Sequence, residues 1–189
     1  MGYNEVVSNV IHATDVRNWL QCRRLFKYAN VERIRKETYE KPDYFSYGTE
    51  GHKIICAHYK GEDVNEVINN ISNEEHQTEL AQLYRLYKKQ YATIDPELQV
   101  AAVEESISIE LKGQPILFTM DLLALMKNVG YVIVDHKFLR SFPNQEFLDI
   151  DFQISFYYWA AVKKGLDIKA FFYNVIKKSI PSHPALLKN

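Results

Sequence analysis

Residues Phe118–Lys137, which read FTMDLLALMKNVGYVIVDHK, decide the fold that the sequence predicts. Two apolar runs flank the polar break Lys127–Gly130, and the Asn and Gly in that break tolerate a positive φ. This pattern predicts a β-hairpin, with Asp121 on the first strand opposite His136 on the second.

The carboxylates and the lysine of this hairpin are the first functional signal. Side chains on a strand alternate between faces, so Asp135 and Lys137 share one face and His136 takes the other. A carboxylate in an apolar strand is costly unless it is paired or binds a cation. Two interpretations stay open at this point: a Mg²⁺ or Mn²⁺ site for phosphoryl transfer, with Lys137 orienting a water, or an ordinary ion pair.

A third candidate carboxylate lies in the preceding strand, QVAAVEESISIEL at residues 99–111. Its alternation is typical of a half-buried antiparallel strand. Glu105 shares the parity of the apolar Val103 and Ile107, so it is predicted to point inward and is a candidate ligand. Glu104 is the rival, because a β-bulge would exchange the two positions.

The rest of the chain predicts an α/β fold, a central mixed β-sheet with helices on both sides. One helix is expected from Thr14 or Asp15 through Tyr28 with a buried apolar face, followed by a loop at 36–47. Further helices are expected from Gly48 to about Lys60, over 62–94 with a break near 69–73, and from about 153 to Gly165. Residues 168–177 are predicted to form the last strand.

Composition narrows the class of protein. The 189 residues carry a net charge of −1, so nucleic-acid binding would need a local basic groove. No apolar run is long enough to predict a transmembrane span. The chain has two cysteines, Cys22 and Cys56, which predicts an intracellular, cytoplasmic location.

The spacing of Asp121 and Asp135-His136-Lys137 resembles the D…(D/E)XK signature of the PD-(D/E)XK nucleases. The RecB-like branch, which includes exonucleases of bacteria and phages, is the most similar. Four further features stand in that branch's order: a helix similar to its first, Cys-containing helix, then a G…H motif, a strand glutamate and a QxxxY motif. In this sequence these are Trp19–Tyr28, Gly48…His52, Glu105 and Gln153…Tyr157.

The resemblance implies a restriction-endonuclease-like core. It predicts a single domain over residues 1–189 with a helical insert around 62–95, and a C-terminus that is truncated relative to its relatives. It also implies roles for individual residues. Asp121, Asp135, Lys137 and Glu105 would be catalytic; His52, Asp121, Asp135 and the backbone carbonyl of His136 would hold metal; Gln153, Tyr157 and Arg140 would contact nucleic acid.

The function implied is Mg²⁺- or Mn²⁺-dependent hydrolysis of DNA, by an exonuclease in recombination, repair or phage DNA processing. One or two ions are expected, and no iron–sulfur cluster, because two cysteines cannot hold one alone. DNA is the expected partner, with a homo-oligomer or a recombination or replication protein beside it, and no membrane.

The residue pattern by itself leaves open exonuclease or endonuclease action, and DNA or RNA as substrate. The alternative functions are a catalytically inactive nucleic-acid-binding module on the same fold and a protein-interaction subunit whose carboxylates form ordinary ion pairs.

Overall fold

The computed structural model describes residues 10–34, 43–144 and 151–178, together with Glu146 and Leu148. A five-stranded sheet forms its centre, and β3 is the strand with the most neighbours. β2 pairs antiparallel along β3; β1 runs parallel and β4 antiparallel to other parts of β3; β5 runs parallel to β4. The strands are β1 (Ile11–His12), β2 (Leu98–Leu111), β3 (Gln114–Met126), β4 (Gly130–Leu139) and β5 (Ile168–Lys177).

Six α-helices accompany the sheet in the described part of the chain. Three of them begin at a side-chain oxygen that accepts hydrogen bonds from backbone N–H groups of the first turn, namely Asp63, Asn73 and Asp151. The helices are α1 (Ala13–Gln21), α2 (Arg23–Phe26), α3 (Asp43–Lys60), α4 (Val64–Asn69), α5 (Glu74–Tyr91) and α6 (Phe152–Lys163). None of the helices in this part is long and apolar enough to cross a membrane.

Helices cover both faces of the sheet. On one face, Phe156 and Tyr157 of α6 pack against Phe118 and Met120 of β3. On the other face, Tyr59 of α3 packs against residues of β3 and β4, and α3 packs on α4 and α5 around a second core. The predicted α/β fold class, a mixed sheet between helices, is therefore confirmed.

The predicted N-terminal helix is wrong in its continuity and in its burial. Cys22 has an extended backbone, with φ −160°, and separates α1 from α2. Apolar positions before and after that break no longer share one face. Trp19, Leu20 and Leu25 are accordingly about half exposed, at 43%, 58% and 45%. The predicted loop at 36–47 falls partly outside the described residues, and α3 already includes Asp43–Tyr47.

The predicted hairpin forms, one residue out of its expected register. Leu122 pairs with Val134 and Met126 with Gly130, so three residues, Lys127–Val129, form the turn. Asn128 and Gly130 take positive φ values of 62° and 116°, as expected for such a turn. The ladder pairing stops at Leu122, immediately before Asp121. At that point a side chain replaces the backbone as the acceptor: Asp121 Oδ2 accepts a hydrogen bond of 2.7 Å from the His136 N–H.

α3 lies unusually close to β4. A Cβ atom on Gly51 would come within 3.0 Å of three atoms of the Phe138 ring. Only glycine permits this approach, because it has no side chain. The approach brings His52, the next residue of α3, close to Asp121 of the central strand β3.

Candidate active site

Three side chains from three elements converge at one point: His52 from α3, Glu104 from β2 and Asp121 from β3. Each offers one ligand atom, and these three atoms lie within 4.8 Å of one another. His52 Nδ1 is 3.5 Å from Asp121 Oδ2 and 4.0 Å from Glu104 Oε1. Ligands around one cation at about 2.0–2.6 Å have separations of this size. We call these three residues the acid–histidine cluster.

Glu104, the rival of Glu105, is the glutamate in this cluster. Its φ is +51°, which is unusual for a residue other than glycine. On both sides of this point the register is continuous, with Val103 opposite Leu122 and Glu105 opposite Met120, which places Glu104 across from Asp121. Both glutamates are exposed, and Glu105 differs in lying outside the cluster.

The order in which side chains alternate between the two faces of the sheet changes at the same place. Residues two apart on a strand normally share a face. Here Met120 belongs to the core under α6, whereas Leu122 belongs to the core on the α3 side. Ile107 and Val103 on β2 show the same change. The alternation that predicted an inward Glu105 is therefore interrupted at Glu104, and this interruption explains the different glutamate.

A second group lies beside the cluster. Asp135 is 1% exposed, and both of its carboxylate oxygens lie 2.8 Å from Lys137 Nζ. The contact with Oδ1 is a directed hydrogen bond, while Oδ2 has no well-directed hydrogen bond among the described residues. The predicted common face of Asp135 and Lys137 is confirmed. The ion pair that the sequence left open is present too, immediately next to the acid–histidine cluster.

Gln153 and Tyr157 of α6 support Asp135. The Gln153 amide nitrogen donates to Asp135 Oδ1 at 3.2 Å and to the Tyr157 hydroxyl at 2.7 Å. An amide group carries two hydrogens, so both donors are used here. Tyr157 is 5% exposed and its ring packs on Phe118. The Gln153 amide nitrogen is thus bonded within the protein, and the predicted contact of Gln153 and Tyr157 with nucleic acid stays a prediction.

His136 points away from the cluster. Its ring is 2% exposed, lies parallel to the Tyr59 ring and has Nδ1 2.9 Å from the Asn174 amide of β5. Asn174 in turn accepts a hydrogen bond from the Tyr91 hydroxyl. The sequence analysis missed Asn174. Its signal was a lone amide in the apolar run FFYNVIK.

Burial shifts the pKa values of the residues in the site. It raises the pKa of Asp135 to about 6, against the opposing effect of the Lys137 ammonium. Burial also raises the pKa of Glu104 and of Asp121 above their ordinary values, and it lowers the pKa of His52. Every shift disfavours the charged form, and a cation bound among the carboxylates would act in the opposite direction. The donor set and its burial therefore fit a divalent metal ion.

The acid–histidine cluster opens into a groove of about 990 Å³. Cationic side chains line it as well as the acids: Lys53, Lys137, Arg140 and Lys178. Arg140, which the sequence predicted to hold a phosphate, is exposed directly after β4. The groove therefore combines carboxylates with four cationic side chains, although the whole chain is nearly neutral.

Comparison with known proteins agrees with this geometry. Residues 12–189 match the family model described as the PD-(D/E)XK nuclease superfamily, and the chain belongs to that superfamily. No curated protein matched the chain. Membership implies a metal-dependent nuclease, with a nucleic acid as substrate and divalent metal ions as cofactor.

Proposed function

We propose that this superfamily member hydrolyses phosphodiester bonds of DNA with Mg²⁺ or Mn²⁺, as an exonuclease in recombination, repair or phage DNA processing. We place it in the RecB-like branch. The order of His52, Asp121, Asp135-His136-Lys137 and Gln153…Tyr157 along the chain supports that placement. It would act inside the cell.

The observation that carries the proposal is the position of the Lys137–Asp135 pair beside the acid–histidine cluster. Lys137 lines the groove together with His52, Glu104 and Asp121. Its ammonium is held at 2.8 Å by Asp135, which Gln153 orients from α6. An amine at a fixed place next to three ligand atoms is what water-mediated attack on a phosphate requires.

Asp121, Glu104 and His52 would hold the ion, and Asp135, which is close enough to interact with the charges of Asp121 and His52, would be a further ligand. Carboxylate oxygens are the ligands preferred by Mg²⁺ and Mn²⁺. When bound, the ion supplies Lewis-acid charge at the phosphate and lowers the pKa of water. We keep the backbone carbonyl of His136 as a proposed further ligand, since the His136 N–H already bonds to Asp121.

The remaining residues orient the attacking water, fix the Asp135 carboxylate and bind the phosphates of the substrate. Lys137 orients the attacking water and stabilises charge that develops on the phosphate oxygens. Gln153 and Tyr157 fix the carboxylate that holds Lys137. Arg140, at the mouth of the groove, contacts the DNA backbone. A second copy of the chain or a replication or recombination protein would assemble around the same substrate.

The test is cleavage of labelled linear and circular DNA with Mn²⁺ or Mg²⁺ by the unmodified chain and by Lys137→Ala. We expect the unmodified chain to degrade only linear DNA. Lys137→Ala should lose at least about a hundredfold in rate, since it removes a charged group next to the reacting phosphate. Lys163→Ala, an exposed lysine at the end of α6, is the matched control and should retain activity.

Each outcome separates the alternatives. Circular dichroism must show that Lys137→Ala is folded, and full activity in that folded variant would contradict the assignment. Degradation of circular DNA would replace exonuclease by endonuclease action. DNA binding in EDTA without any cleavage in Mn²⁺ or Mg²⁺ would identify the inactive nucleic-acid-binding module instead.

A further inference from the structure

Two cationic side chains stand next to each other at the ends of parallel strands. β4 and β5 are in register up to Leu139 opposite Lys177. Arg140 and Lys178 each follow by one residue, so they occupy the next rung of the same ladder. A backbone hydrogen bond of 2.8 Å from the Lys178 N–H to the Leu139 carbonyl continues the strand pairing to this point.

Both side chains reach the groove that contains the acid–histidine cluster. The Lys178 ammonium lies 5.3 Å from the centre of the Tyr47 ring, a cation–π distance. Gly48 of α3 borders it, since a Cβ there would lie 3.9 Å from Lys178 Nζ. Lys178 is therefore held between α3 and the strand ends, on the same wall as Arg140.

The two positive charges affect each other. Burial lowers the pKa of Lys178, and the nearby Arg140 guanidinium lowers it further. Two positive charges this close on one lining raise the local attraction for an anion. Guanidinium and ammonium groups together are suited to the oxygens of a phosphate.

We propose that Arg140 and Lys178 form a phosphate subsite in the groove, separate from the acid–histidine cluster, that holds a second phosphate of the strand being cut. This inference rests on the proposed function, because it takes a polynucleotide as the ligand. The phosphate could be a terminal monoester, which would make the subsite a sensor of strand ends, or an internal diester, which would make it a general strand contact.

The subsite also gives the groove a direction. Carboxylates stand at one end with Lys137, and the Arg140–Lys178 pair stands where β4 and β5 end. A strand lying along the groove would place one phosphate at each. Binding at the pair does not need the metal, so it can be measured without turnover.

The experiment measures fluorescence anisotropy of an internally labelled single strand of about 12 nucleotides, a length that spans one groove, in EDTA. Three probes carry a 5′-phosphate, a 3′-phosphate or no terminal phosphate. The variants are Arg140→Gln, Lys178→Gln and the double variant. Lys163→Gln is the control, since it removes the same charge from an exposed position that does not line the groove.

We expect each single variant, which loses one charge as the control does, to bind about threefold more weakly than Lys163→Gln, and the double variant about tenfold more weakly. The salt dependence of log K should be shallower by about 0.7 per cation lost. Weakening confined to one phosphorylated probe assigns a terminal phosphate, and equal weakening of all three assigns an internal one.

Binding of the folded double variant that equals the control on every probe would overturn the subsite, as would no binding by the unmodified chain. The outcome is independent of catalysis. If the charge variants bind more weakly as expected but the unmodified chain does not cut DNA in Mn²⁺, the proposed nuclease activity fails and the subsite stands. If it cuts DNA while the charge variants bind normally, the subsite alone fails.

Discussion

Two histidines on α3 have opposite surroundings. His58 has both ring nitrogens satisfied: Nδ1 is 3.0 Å from the Tyr84 hydroxyl and Nε2 is 3.0 Å from Asp95 Oδ2. His52 is 3.5 Å and 4.0 Å from its two carboxylates, which is longer than a charge-assisted hydrogen bond. The His58 contacts join α3 to α5 and to the turn before β2. The longer His52 contacts have the separations expected of ligand atoms that could share one cation.

The same contrast separates neighbours on β4. His136 is neutral and enclosed, because burial lowers its pKa to about 3 and Asn174 holds its Nδ1. Asp135, one residue before it, is enclosed as a carboxylate, a form that its burial disfavours. The buried imidazole of His136 is thus neutral, whereas the adjacent Asp135 carries a charge that its burial alone does not favour.

The glutamates of β2 provide the strongest test of this contrast, because they are adjacent and chemically identical. Glu104→Gln removes a charged ligand atom from the cluster, so nuclease activity should fall by about 100-fold, or about 2.7 kcal/mol of transition-state stabilisation. Glu105→Gln should stay within about twofold of the unmodified chain, because Glu105 is exposed and outside the cluster. Rates on linear DNA at saturating Mn²⁺ provide the measurement. Loss of activity in Glu105→Gln alone would restore the glutamate that the strand alternation predicted.

The histidine pair should separate stability from metal binding. His58→Leu leaves Asp95 and the Tyr84 hydroxyl without their imidazole partner, so the free energy of unfolding should fall by about 1–3 kcal/mol in urea titrations. His52→Leu should change unfolding little but weaken Mn²⁺ binding about tenfold by calorimetry. If His52→Leu unfolded the protein and left Mn²⁺ binding intact, the two roles would be reversed.

Ionisation of Asp135 should lower the free energy of unfolding, so this loss should depend on pH. Because its pKa is raised to about 6 in the fold, the ionised form is disfavoured, and that loss of stability is present above this pKa and absent below the ordinary value of about 3.9. Asp135→Asn should therefore stabilise the metal-free protein by roughly 1–2 kcal/mol at pH 7.5, with the gain disappearing as the pH falls through 6 towards 4.

Urea unfolding in EDTA across that pH range measures the gain. Asp167→Asn is the matched control, since Asp167 is largely exposed and its change should produce no such trend. A variant less stable than the unmodified chain at pH 7.5 would contradict the cost assigned to Asp135.

Local patterns predicted much of this structure. The break at Lys127–Gly130 predicted the hairpin, and the period of two placed Asp135 and Lys137 on one face. The apolar run at 168–177 predicted β5 with its observed bounds. These features depend on residues close together in the sequence, where turn chemistry and alternation act directly.

The differences come from interactions that a local pattern does not contain. The positive φ of Glu104 interrupts β2, whose pairing with β3 also shifts register between Val100 and Ala102, and β2 contains no glycine that would predict either irregularity. The register between β4 and β5 places Lys178 beside Arg140 from 38 residues away, counting from 140 to 178. Gln153 donates both amide hydrogens to groups of the protein, and its contact with Asp135 depends on where α6 lies on the sheet.

The absence of a side chain at Gly51 has a consequence for ion choice. α3 packs closely on the Phe138 ring, and this contact places the imidazole of His52 near the carboxylates of the sheet. If these residues hold an ion, the close packing of α3 on an interior aromatic ring would limit the range of cation radii that the site accepts.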